Sequence, residues 1–151
     1  RKIRGPAALV HNDYTSKSGI ERLEHFLPDE AARTDLERIQ IINVWRSING
    51  PVERSPLAMC DARSVETENL IATERRARDR IGEICRFTYN PLYEWYYFPV
   101  LSPDEAILIR TFDSASNNPM QVAPHCAFDD PTTPRSAAPR CSFEVRAFVL
   151  H

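Results

Sequence analysis

The amino-acid sequence predicts a mostly β protein, a sandwich or barrel with a small helical insertion, and three observations carry that expectation. About eight short runs are rich in β-branched and aromatic residues. Twelve prolines fall largely between those runs, where they break backbone pairing. One stretch near the N-terminus instead repeats its apolar residues at helical spacing.

The elements follow in chain order. Residues 7–10 read as a first strand, leading into Val10-His11-Asn12-Asp13-Tyr14-Thr15. In residues 20–27, Ile20, Leu23 and Leu27 share a helical face, and Pro28 ends or restarts the helix. Residues 29–36 make a second short helical turn, and His25 reads as a surface histidine. Residues 38–45 form a strand, and Asn49-Gly50-Pro51 is a turn or loop. A short strand follows at 57–61. Residues 73–80 are charge-dense with mixed signs, which predicts a solvated helix or loop; the rival is a basic rim that attracts an acidic substrate. Three more strands are expected at 81–89, 94–100 and 106–112. A polar loop at 114–119 precedes the run 122–128, a Pro/Thr/Ser loop fills 129–139, and a last strand runs over 141–150.

A chain of 151 residues is one domain, 1–151, with room for a substantial core. Its 42% hydrophobic and 26% charged residues are those of a globular chain. A formal charge of −2 gives no broad reason to expect nucleic acid or an anionic membrane as partner. No apolar run approaches the roughly 20 residues of a membrane-spanning helix, and no signal-peptide pattern is present. Because strand-like sequence begins almost at Arg1, N-terminal elements of the domain are expected to be missing. The sheet edge left open would then favour a homo-oligomer. Cys60, Cys85, Cys126 and Cys141 lie in no Cys-x-x-Cys clip, so they read as reduced residues of a cytoplasmic protein rather than zinc ligands.

Chemistry centres on His11 and Asp13. Two residues apart on a strand, an imidazole and a carboxylate leave the same face. A distant second histidine, His125, completes the two-histidine, one-carboxylate set that holds non-haem Fe(II) and leaves positions open. Arg140 and Ser142 follow on one strand face. A guanidinium and a hydroxyl there suit the distal carboxylate of a dicarboxylic co-substrate; Arg135 is the fallback. Asn43 and Trp45 alternate onto one face, as do Trp95 and Tyr97, and one of these sets would line the pocket, unless both are ordinary core. Arg46 would meet an acidic substrate group or a surface ion pair. Glu144 and Arg146 share the face of Arg140, and either pair with each other or extend the polar end of the pocket. Tyr14 and Thr15 are placed to support the ligands.

The chain also resembles a known family. Its Val-His-Asn-Asp-Tyr-Thr motif, Ile42-Asn43-Val44-Trp45-Arg46, Pro56-Leu57-Ala58-Met59-Cys60-Asp61, Trp95-Tyr96-Tyr97-Phe98-Pro99 and the Pro-His-Cys-Ala-Phe-Asp-Asp-Pro segment around His125 occur in the order seen in the fungal gibberellin-desaturase-like family. That family also takes in aspergillic-acid-type hydroxylases and cephalosporin methoxylase-like proteins. The resemblance covers nearly the whole chain. It implies a double-stranded β-helix, or jelly roll, and Fe(II)/2-oxoglutarate-dependent oxidation by O₂, a hydroxylation or desaturation of a small molecule in secondary metabolism. By position it implies His11, Asp13 and His125 as iron ligands and Arg140 with Ser142 as the 2-oxoglutarate site. Members are commonly longer at the N-terminus. Cys126 stands where a threonine is expected, a change that would alter packing beside the metal.

Three other readings compete. One is a non-catalytic jelly-roll scaffold, and another is a cupin-like metal enzyme that does without 2-oxoglutarate. The third, a Cys126 nucleophile served by His125, is poorly placed, because adjacent strand residues face opposite ways.

Overall fold

The computed structural model describes residues 5–77, 80–115 and 122–151. Nine strands and two short helices among these residues build two antiparallel sheets. The strands are β1 (His11–Asn12), β2 (Ile39–Ser47), β3 (Leu57–Cys60), β4 (Leu70–Ala77), β5 (Arg80–Phe87), β6 (Trp95–Tyr97), β7 (Ile107–Asp113), β8 (His125–Ala127) and β9 (Ser142–Leu150). Helices α1 (Ser16–Phe26) and α2 (Pro28–Ala31) lie between β1 and β2. One sheet has the order β4-β5-β1-β8-β3-β6 and the other β7-β2-β9. The mostly β class with a helical insertion is therefore the class the chain adopts.

Alternation on β2 builds much of the interior. Ile41, Asn43, Trp45 and Ser47 are all buried, while Arg46 between them is exposed. Trp45 packs with Val52, Leu57, Leu101, Ile107 and Ile109 in one cluster; Tyr14, Ile41 and Phe112 form another. Helix α1 closes over this second cluster. Its Gly19 lies so near the Phe112 ring that any Cβ would overlap it. The helix starts earlier than its apolar period predicts, because Thr15 caps it: the Ser18 amide donates to the Thr15 hydroxyl, and the Thr15 amide donates to the Ser18 hydroxyl.

The charge-dense segment is a correction. Residues 70–77 form strand β4, paired with β5 from Leu70↔Phe87 to Ala77↔Arg80, not a helix or loop. As the outermost strand of the larger sheet, β4 carries its charges into solvent, a pattern that also discourages edge pairing with other chains. Glu74 and Arg76, two apart on that strand, form an ion pair at 2.6 Å. The rest of that segment, residues 78–79, lies outside the described residues, as do residues 1–4 and most of the loop expected at 114–119. Residues 7–10 are not a strand, since β1 begins only at His11. Helix α2 and strand β6 are shorter than expected, the latter ending before Pro99.

Candidate metal centre

The neighbouring strands β1 and β8 set His11 directly opposite His125. Their rings lie 4.6 Å apart, centroid to centroid, tilted by 50°. Each ring is tied back by the backbone two residues before it: Nδ1–H of His11 donates to the Leu9 carbonyl at 2.8 Å, and Nδ1–H of His125 to the Ala123 carbonyl at 2.9 Å. That tautomer leaves each Nε2 as a lone-pair donor, the arrangement metal-binding histidines use. Burial, and next the adjacent His125, push the His11 pKa below its ordinary value. That favours the neutral ring.

Asp13 leaves the end of β1 and crosses toward the other sheet. Its Oδ2 accepts from Asn43 Nδ2 at 2.6 Å and from Arg146 Nη2 at 3.1 Å. Asn43 and Arg146 are themselves register partners across β2 and β9. Burial alone would raise the Asp13 pKa, but Arg146, His125, Asn43 and His11 together hold it below the usual carboxylate range. Arg146 also reaches Glu144 at 3.1 Å.

A fully buried polar network stands behind Asn43. The Thr111 hydroxyl shares its one proton between the Ile41 carbonyl at 3.2 Å and Asn43 Oδ1 at 3.4 Å. Asn12, between the candidate ligands His11 and Asp13 in sequence, donates to the Thr111 carbonyl at 2.8 Å and the Tyr14 carbonyl at 2.7 Å. It thus ties the larger sheet to the smaller one. Sequence reasoning missed Asn12 and Thr111; only their place next to the ligand motif and opposite β2 hinted at them.

Arg140 lies just before β9. Its guanidinium sits over the Trp45 ring, 5.1 Å from the centroid, and Nη1 donates to the Ser55 carbonyl at 2.5 Å. Its Nε is buried with no hydrogen-bond partner. Burial lowers the Arg140 pKa, with no carboxylate to offset it. A desolvated cation with an unused donor is what a carboxylate ligand would complete. Ser142 pairs with the buried Ser47 at the same end of the smaller sheet.

Other candidates fall elsewhere. Arg46 is on the exposed face of β2, where its Nη2 donates to the Pro103 carbonyl at 2.6 Å. Trp95 and Tyr97 are on the outside of the larger sheet, and Tyr97 stacks edge-on against Phe128. Cys126 lines that same outer groove, so its side chain packs away from His125, not beside the candidate metal site. Burial raises its thiol pKa, which further disfavours a thiolate nucleophile. Cys60, Cys85 and Cys126 are buried free thiols, and Cys141 is exposed. Arg135 and His25 are exposed. Thr15 serves as the helix cap and bonds Glu83, and Tyr14 lies under the Arg146 guanidinium at 5.9 Å.

A cavity of about 320 Å³ opens beside Asp13, walled by α1 and the β4–β5 hairpin; its lining includes Asp13, Arg146, Arg22, His25, Arg75 and Glu83. Among the described residues, no three His, Cys, Asp or Glu side chains converge as a formed metal site. The donor set nevertheless fits one chemically: two imidazoles with Nε2 available, and a carboxylate of depressed pKa whose two bonds both land on Oδ2. No helix among the described residues is long and apolar enough to cross a membrane.

Residues 1–150 match the family model described as "Oxidoreductase/YMDC permease-like domain". The aspirochlorine biosynthesis protein N of Aspergillus oryzae is 36% identical over 132 residues, covering 86% of this chain and 56% of that protein. The hydroxylase/desaturase CTB9 of Cercospora beticola is 34% identical, covering 99% of this chain and 48% of its own length. The Fe(II)/2-oxoglutarate-dependent dioxygenase nvfI of Aspergillus novofumigatus is 30% identical, covering 96% and 52%. A solved structure of the iron and alpha-ketoglutarate-dependent endoperoxidase NvfI superposes with a TM-score of 0.86 at 28% identity, over 96% of this chain and 54% of that one. The chain spans about half the length of the curated relatives it matches. It belongs to this oxidoreductase family, alongside the fungal hydroxylase/desaturases.

Proposed function

We propose that this member of the family is an Fe(II)/2-oxoglutarate-dependent oxygenase that hydroxylates or desaturates a small molecule. The observation that carries the reading is the pairing of two tied-back imidazoles with a buried Asp13 of depressed pKa, in a domain that also holds Arg140 with its buried Nε unpartnered. His11, Asp13 and His125 would hold the iron. Arg140, with Ser142, would hold the far carboxylate of 2-oxoglutarate. When bound, these groups supply the oxidant that removes a hydrogen atom from an unactivated C–H bond.

The chain's own residues do the rest. The Leu9 and Ala123 carbonyls fix the ring orientations and, in a neutral ring, place the proton on Nδ1, which leaves Nε2 for a metal. Trp45 gives the Arg140 guanidinium a flat, water-excluding platform, which strengthens its attraction to an anion. The cavity beside Asp13 gives a substrate its approach from the side of α1 and β4–β5. A cupin-like enzyme without 2-oxoglutarate has no use for a desolvated, unpaired guanidinium at this place, which favours the oxygenase.

Anaerobic titration with Fe(II) and then 2-oxoglutarate tests the reading. A visible charge-transfer band from the chelate is expected, with co-substrate affinity reduced about 30- to 100-fold in Arg140→Ala, as loss of a charge-assisted double hydrogen bond implies. Iron binding with a spectrum unmoved by 2-oxoglutarate would sink the co-substrate assignment.

A further inference from the structure

We propose that Arg146 and Asn43 are positioning residues that make Asp13 a one-oxygen metal ligand, rather than contacts to substrate. The inference rests on the metal reading above and concerns how the carboxylate is presented. Both recorded hydrogen bonds to Asp13 arrive at Oδ2, from Asn43 Nδ2 at 2.6 Å and Arg146 Nη2 at 3.1 Å. Oδ1 is left as the oxygen for a metal.

The clamp is built, not incidental. Asn43 and Arg146 stand opposite each other in the β2–β9 ladder, so a single register places both donors. Asn43 has no solvent exposure, and Thr111 donates to its Oδ1. The carboxylate decides which way the amide points: an ionised Asp13 can only accept, so the NH₂ faces it and Oδ1 turns to the Thr111 hydroxyl. Thr111 is in turn anchored through Asn12, the residue between His11 and Asp13. Arg146 is held on its far side by Glu144 at 3.1 Å and lies over Tyr14. Two donors on one oxygen oppose the rotation that would let the carboxylate chelate through both, which keeps a coordination position open for other ligands.

Cobalt(II), a spectroscopic stand-in for Fe(II), gives the test on the full chain, with melting of the metal-free protein measured in parallel. Arg146→Gln is the main variant because Arg146 is partly exposed and its loss leaves the core intact; Asn43→Ser is the second. Both are expected to weaken cobalt binding by about 10- to 100-fold and to change the visible d–d band, as the freed carboxylate turns to bind through two oxygens. Arg146→Lys, which keeps a donor and the charge, is expected to restore most of the affinity and the wild-type band. If both variants bind like wild type while His125→Ala does not bind, the clamp is wrong and the metal reading survives. Weakened binding with an unaltered band, in step with a lower melting temperature, would assign a purely structural role and overturn the inference. If wild type takes up neither cobalt nor iron, the metal reading itself fails and carries the clamp down with it.

Discussion

His125 and Cys126 are neighbours in the chain and look into two different worlds. On the inner side of the larger sheet lie His11, His125 and Asp13, in a polar site where Asp13 is answered by two donors and each ring by a carbonyl. On the outer side, Cys126 lines an apolar groove of about 720 Å³ with Leu9, Tyr93, Trp95, Tyr97 and Phe128. The same strands build both, so the difference comes from side-chain alternation alone. Apolar contact is non-directional and tolerates substitution, whereas a buried charge needs each of its partners.

Removing the inner carboxylate should have the largest consequence. Asp13→Ala takes one of three proposed ligands and leaves Arg146 with Glu144 as its remaining ion-pair partner. Cobalt or iron uptake is expected to be lost, and retained wild-type affinity would break the contrast. The next effect is smaller and concerns the scaffold. Asp113 is buried and accepts from Arg38 Nε at 2.9 Å and Gln40 Nε2 at 2.9 Å, at the end where β2 meets β7. Its hydrogen bond from Arg38 is the main reason its pKa falls to about 2. A carboxylate with a depressed folded pKa stabilises above its unfolded value and loses that contribution as pH drops toward the folded one. Acid titration of stability should therefore show a loss developing below pH ~4, and Asp113→Asn should cost on the order of 2 kcal/mol at pH 7 while removing that loss. Urea unfolding at several pH values reads both.

The smallest effect is reserved for the outer groove. Cys126→Thr should change stability by about 1 kcal/mol or less and leave the cobalt spectrum as it is. A shifted band would mean that the outer face communicates with the metal site, and the two sides would not be separable after all.

These contrasts also mark what could be read in advance. The His11–Asp13 spacing drew attention because period-two alternation is local, yet β1 ends at Asn12 and Asp13 sits in the bend just past it. Arg140 drew attention in the same way, as a cation beside an alternating strand, and it lies two residues before β9. Strand β4 was not legible, because charge density reports solvent contact and an edge strand has as much of that as a helix. The role of Arg146 was hidden more deeply. Its partner Asp13 is 133 positions away, and only the β2–β9 register brings the two together. Asn12 was masked by the candidate ligands on either side of it.

One consequence concerns strand pairing itself. Strand β1 is two residues long, and His11 is its single point of register with β8. A slip by one residue would set His11 against Cys126 or Pro124 and send one imidazole to the opposite face. Two adjacent metal donors would then never meet. If the chain takes up the proposed metal, uptake acts as a proofreader of folding: only molecules whose shortest strand has docked in the right frame could be loaded, and the bound ion would lock that frame in place.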